Sequence, residues 1–294
     1  MFGCRERVGS VLIAASLGGL MVQQAIHEMG IKIDAPFKRS RPGSHNPRST
    51  GKKRMLERAI EEHSIALRQN SEFNRARFGR AKCYQSLVED ERALADIDYL
   101  LAKNPDDSEA LALRGTTKYW KGEKEAGTRD LERALALSPN DPRILLDLGV
   151  VYRLSAQPAK ARVLLLKSVQ LSPQADAYVN LARISVGEQN YARALTEFNA
   201  AIFIDPGYRS AYAERAFVYD MLGDYDCALR DYGVEIARSP EAYMFEERGW
   251  LKFSRFNDAA GALVEVERSL KMDPTCESAL ELRKRVKKAL ASAS

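Results

Sequence analysis

Residues 177–206 read AYVNLARISVGEQNYARALTEFNAAIFIDP. Tyr178, Leu181 and Ala182 fall on one helical face, and Ala194, Phe198 and Ala201 on a second. Between the two faces, Gly187-Glu-Gln-Asn190 is a turn signal, and Pro206 closes the second apolar series. The stretch therefore reads as helix, short turn, helix, then a turn marked by proline.

Working outward, the same phrase recurs. Prolines that follow an apolar helical run stand at 105, 139, 173, 206, 240 and 274, with gaps of 34, 34, 33, 34 and 34. One step back from Pro105 is Ser71, where the period continues without proline. Repetition at this length marks stacked supersecondary units. Small residues keep the same register. Ala81, Gly115, Gly149, Ala182, Ala216 and Gly249 precede the prolines by 24 residues, or 25 in the last case. Ala93, Gly127, Ala161, Ala194, Ala228 and Ala262 precede them by 12. Small side chains at these two places allow two helices to approach closely.

A polar regularity runs beside the apolar one. Arg80, Arg114, Arg215 and Arg248 share one place in the first helix of their units. Sixteen residues on lie Asp96, Asp130 and Asp231, and seventeen on from Arg248 lies Glu265. This predicts an Arg–carboxylate pair joining the two helices of a unit. The third unit has Leu148 and Leu164 in these places, and the fourth has Leu181 and Glu197.

The spacing and the residues just quoted resemble the tetratricopeptide repeat, a helix–turn–helix unit of 34 residues. The resemblance covers about residues 52–274 and recurs six times; Ser185 stands where the family usually has Tyr. Residues 52–69 resemble the second helix of a degenerate leading unit, whose first helix is obstructed by Pro42, Gly43 and Pro47. After Pro274, Ala279, Leu282, Val286 and Leu290 predict a terminal capping helix with a basic outer face. The expected fold is all-α: a right-handed superhelical solenoid of stacked helix–turn–helix repeats over 52–274, then a capping helix and tail over 275–294.

In the resembling family the first helices line a concave groove. Carried onto this sequence, that implies a partner-binding surface of Phe78, Lys82, Tyr119, Trp120, Arg143, Val150, Arg153, Arg183, Phe217, Trp250 and Phe253. Aromatic and aliphatic side chains interrupted by Arg and Lys suit a peptide or partner helix. Trp120, Phe217, Trp250 and Phe253 would bury apolar side chains, and Arg143, Arg153 and Arg183 would select carboxylates. Phe78 and Tyr119 are equally suited to packing between adjacent units. Some family members hold chaperone C-termini in a carboxylate clamp that needs Lys and Asn four apart on one first helix; here Lys82 is followed by Ser86, so the clamp is absent.

Composition sets the outer limits. The 294 residues are 45% hydrophobic and 29% charged, with a net charge of +5, which excludes disordered and collagen-like classes. Cys4, Cys83, Cys227 and Cys276 are scattered, with no metal or redox spacing. His27, His45 and His63 precede the well-formed repeats, and no nucleophile elbow, dinucleotide fingerprint or zinc-protease motif occurs. The reading is a non-enzyme without cofactor or metal.

Charge is uneven along the chain. Residues 1–54 hold ten Lys and Arg against three Asp and Glu. The acidic repeat body that remains argues against nucleic acid as the main ligand, although the basic leader keeps that as a lesser alternative. Residues 8–26 carry no charge and are nearly long enough to span a membrane. Glycines, serines and glutamines dilute the run, and the basic residues after it resist translocation. The sequence thus favours a cytoplasmic adaptor with a basic, largely disordered leader over 1–50. The alternative is an assembly factor tethered by residues 8–26, its repeats facing the cytoplasm.

Overall fold

In a computed structural model, residues 50–208 and 210–293 are described. The basic leader and the uncharged run 8–26 lie outside the described residues. All fourteen elements among them are α-helices. They are α1 (Thr50–Gln69), α2 (Asn74–Ser86), α3 (Asp90–Lys103), α4 (Ser108–Lys121), α5 (Lys124–Leu137), α6 (Pro142–Leu154) and α7 (Pro158–Leu171). There follow α8 (Ala175–Gly187), α9 (Tyr191–Ile204), α10 (Ala211–Met221), α11 (Tyr225–Arg238), α12 (Ala242–Arg255), α13 (Ala259–Met272) and α14 (Glu277–Ala293). No helix among the described residues is long and apolar enough to cross a membrane.

The periodic prolines end the second helix of each unit. The residue before each one, Asn104, Ser138, Ser172, Asp205, Ser239 or Asp273, is the C-cap, with ψ between 72 and 105°. Proline clashes with an α-conformed predecessor, so the helix must stop there. Starts are fixed by side-chain caps: Asp107, Asp141, Asn190, Asp224 and Asp258 each accept a hydrogen bond from a first-turn backbone N–H.

The turn inside each unit has its own period. Val88, Gly122, Ala156, Gln189, Gly223 and Asn257 all have positive φ, each 17 residues before its proline. The next residue's N–H bonds back across the turn: Glu89 to Tyr84 O, Glu123 to Lys118 O, Gln157 to Tyr152 O, Asn190 to Ser185 O and Asp224 to Tyr219 O. This is the left-handed helix ending that glycine usually occupies. In the sixth unit Asp258 reaches one residue further back, to Lys252 O, so the extra residue of that unit is absorbed in this turn.

The described chain divides within α8 into two compact bodies, residues 50–184 and 185–293. The sequence reading treats 52–274 as one solenoid and contains no signal for this division. In the first body, Ala81, Ile97, Leu111, Leu131, Ile144 and Leu148 belong to one core spread over α2 to α6. Ala161, Leu165, Leu181 and Ile184 form a second cluster between α7 and α8. In the second body, Ala216, Ala228, Tyr232, Met244 and Leu251 form a core from α10, α11 and α12. Val266, Leu270, Leu282 and Val286 pack α13 on α14. The small residues work by contact: a Cβ on Gly127 would sit 2.5 Å from Gly115 O and 2.6 Å from Tyr119 N. The α4–α5 hairpin closes to backbone contact because neither glycine has a side chain.

The expected Arg pairs form. Arg80 donates to both oxygens of Asp96 at 2.8 and 2.7 Å, Arg114 to Asp130 at 2.7 and 2.9 Å, and Arg215 to Asp231 at 2.7 and 2.8 Å. Arg248 makes one such bond to Glu265, at 2.7 Å, leaving its Nε without a partner. Three of these arginines also reach sixteen residues backward, to the second helix of the preceding unit. Arg80 reaches Ser64, Arg114 reaches Asp98, and Arg215 reaches Asn199. Each guanidinium therefore fastens three helices. In the fourth unit the carboxylate Glu197 is met instead by Ser185 Oγ at 2.5 Å and Arg193 Nε at 3.1 Å.

Candidate functional site

A cleft of about 190 Å³ opens on the first body between the first helices of its units, α2, α4 and α6. Phe78 and Lys82 come from α2, Thr116 and Trp120 from α4, and Ile144, Asp147, Val150 and Val151 from α6. These positions converge because residues three and four apart share a helix face, and the first helices lie side by side. The wall is tied laterally: Gln85 Nε2 donates to Thr116 Oγ1 at 2.8 Å and Thr117 Oγ1 at 2.9 Å, linking α2 to α4.

Five of the eleven groove residues expected from sequence, Phe78, Lys82, Trp120, Arg143 and Val150, thus line one cleft. Tyr119 is corrected to a core residue. It is 5% exposed, its hydroxyl meets Ser155 Oγ at 3.2 Å, and its ring stands edge-on to Trp120. A large ring next to the Gly115–Gly127 contact fills space between helices rather than facing solvent. Arg153 donates to Asn180 Oδ1 at 2.9 Å, and Arg183 on α8 is half-buried. In the second body Phe217 is half-buried on α10, and Trp250 and Phe253 pack against the α13–α14 cluster.

The charges of the cleft differ from the sequence expectation. Arg143 is the expected receptor for a carboxylate, but its exposed guanidinium is already paired within the protein, with Glu109 at 2.5 Å and Asp141 at 3.2 Å. Lys82 is exposed, with its Nζ 5.8 Å over the Phe78 ring. The group the sequence reading missed is Asp147. Among the described residues it has neither a hydrogen bond nor an ion pair. Burial pushes its carboxyl up to about 7, reinforced by negative Asp176, while Arg143 and Lys82 draw it back down and Asp141 raises it slightly. A signal did exist: Asp147 is the only charge in the run ILLDLGVV, residues 144–151. No group of three or more His, Cys, Asp or Glu side chains able to hold a metal ion occurs among the described residues.

A tetratricopeptide-repeat family model matches residues 175–208, which contain the α8–α9 hairpin. Residues 175–208 thus match the tetratricopeptide repeat, and the stacked hairpins around them have the tetratricopeptide fold. Solved structures share the tetratricopeptide fold. A chain of the APC/C hetero-tetramer Cut9-Hcn1 superposes with a TM-score of 0.69 at 16% identity, over 80% of this chain; this chain spans only 46% of that one. A tetratricopeptide repeat protein from Parabacteroides merdae ATCC 43184 gives 0.56 at 21% identity, over 81% of this chain and 94% of its own. PilW, a type IV pilus biogenesis factor, gives 0.65 at 16% identity, over 72% of this chain and 98% of its own. No curated protein matches the sequence. The tetratricopeptide architecture supports a role in protein–protein interaction. The cleft-lining residues come from the first helices of three successive helical hairpins.

Proposed function

We propose that the chain is a non-catalytic scaffold that holds a segment of another protein in the cleft between α2, α4 and α6. The observation that carries this reading is the lining itself: Phe78, Trp120, Ile144 and Val150 offer apolar wall, beside charged Lys82 and Asp147. Apolar surface with a few placed polar groups is the composition of a recognition site. The wall is also fixed before any partner arrives, since Gln85 and the helix caps order it, so little ordering entropy is lost on binding.

Photocrosslinking tests the proposal. A photoreactive residue is placed at Lys82, which faces the cleft, or at Val163, which is 66% exposed on α7. Partners captured from Lys82 and not from Val163, and lost when Trp120→Ala is added, are the expected result. The same adducts from both positions would reject the cleft as the binding surface.

A further inference from the structure

We infer that the cleft selects a partner segment bearing a lysine or arginine, whose cation sits against Asp147 while its apolar neighbours lie on Phe78 and Trp120. This rests on the reading of the cleft as a docking surface and adds the chemistry of the occupant. The argument starts from the balance of charge. Five charged side chains line the cleft: Lys82, Glu109, Asp141, Arg143 and Asp147. Arg143 is shared between Glu109 and Asp141, which leaves Lys82 as the positive group, Asp147 as a negative one, and one surplus negative charge on the Arg143 cluster. The two are not equivalent. Lys82 is exposed, so solvent can satisfy its ammonium. Asp147 stands on α6 among the cleft-lining Ile144, Val150 and Val151, half-buried and, among the described residues, without a hydrogen bond.

A half-buried carboxylate flanked by apolar side chains is rewarding to pair, because a cation brought to it there is less screened than in open solvent. The aromatic walls fit the same ligand. Trp120 and Phe78 can flank the methylene stem of a lysine or arginine, and an indole face attracts the cation itself. A carboxylate-bearing ligand would meet repulsion from Asp147 and from the remaining charge on Glu109 and Asp141. The raised carboxyl of Asp147 agrees with a site completed by an external cation. The groups that set its charge are Asp176 on α8, Arg143 and Asp141 at the start of α6, and Lys82 on α2.

A displayed library of random twelve-residue peptides, selected on the full chain, tests the inference. Selected peptides should be enriched in Lys or Arg beside aliphatic or aromatic residues. Individual binders should weaken at least tenfold on Asp147→Asn, an isosteric change, and tighten severalfold on Lys82→Glu, a change at an exposed site that folding does not need. They should also weaken when pH falls from 8 to 5.5, and the Asp147→Asn variant should lack that pH response. Thermal melts check that each variant is folded. Peptides that require Trp120 but are acidic or uncharged, or that ignore both charge variants, would overturn the inference and leave the docking cleft standing. Peptides unaffected by Trp120→Ala and by both charge changes would overturn the inference and the docking surface together.

Discussion

At the scale of single residues, the polar ladder is the most informative feature. Arg114 and Asp130 are 21% and 13% exposed, so neither charge is fully hydrated. Burial would raise the Asp130 carboxyl, but the hydrogen bonds from Arg114, helped by Lys118, outweigh it and hold Asp130 below the usual carboxylate range. Breaking such a pair from one side leaves the other charge stranded, whereas replacing both sides with apolar groups does not. Arg114→Ala should therefore cost about 2–3 kcal/mol, and the double change Arg114→Leu/Asp130→Leu should cost less, as read by urea melts. Leu148 and Leu164 already occupy these places in the third unit. The forward half of the ladder was legible because both partners are ionic and recur at one interval. The backward half was not, because Ser64, Asp98 and Asn199 share a position but no chemistry. Asp147 escaped for a related reason: a family-based choice of groove positions passes over the residue beside them.

At the scale of elements, helix existence was readable and turn geometry was not. Alternating small residues and periodic proline define where hairpins close and where second helices stop. The left-handed residue of each turn is glycine only at Gly122 and Gly223, so the other four carried no visible mark. Val88 is the most strained of them, since a β-branched side chain disfavours positive φ. It is 54% exposed, so little packing is lost on its removal. Val88→Gly should raise stability by about 0.5–1 kcal/mol, the relief of left-handed strain exceeding the added chain entropy of glycine. A lower melting temperature would contradict the strain. Gly127→Ala should act oppositely. The added methyl meets backbone atoms that cannot rotate away, and the α4–α5 hairpin should lose about 1–3 kcal/mol in the same melts.

At the scale of the whole molecule, pH should act in two directions. The Asp147 and Glu247 carboxyls are pushed up to about 7, chiefly by burial, and Asp220 is also raised. The folded chain therefore binds protons that the unfolded chain has released, and stability falls as pH rises from about 4 toward 7. Asp130 and Asp141 are lowered instead: burial opposes this, but Arg114 and Arg143 outweigh it. Their contribution is present above the ordinary carboxylate range and is lost as pH falls below it. Melting temperature should peak at mildly acidic pH. Asp147→Asn should raise it at pH 8 and leave it nearly unchanged at pH 5; equal shifts at both would show that the carboxyl is not the titrating group. A destabilising charge kept in a cleft is the pattern expected where stability is traded for binding.

The backward reach of the arginines gives the chain a direction. The guanidinium of Arg80, Arg114 or Arg215 closes on a helix made earlier and on one made directly after it, so a nascent chain leaving the ribosome meets these clasps in the order in which they can be fastened. Loss of whole hairpins from the carboxyl end removes each clasp together with its arginine. Loss from the amino end leaves an arginine behind with its forward bonds and without its backward one.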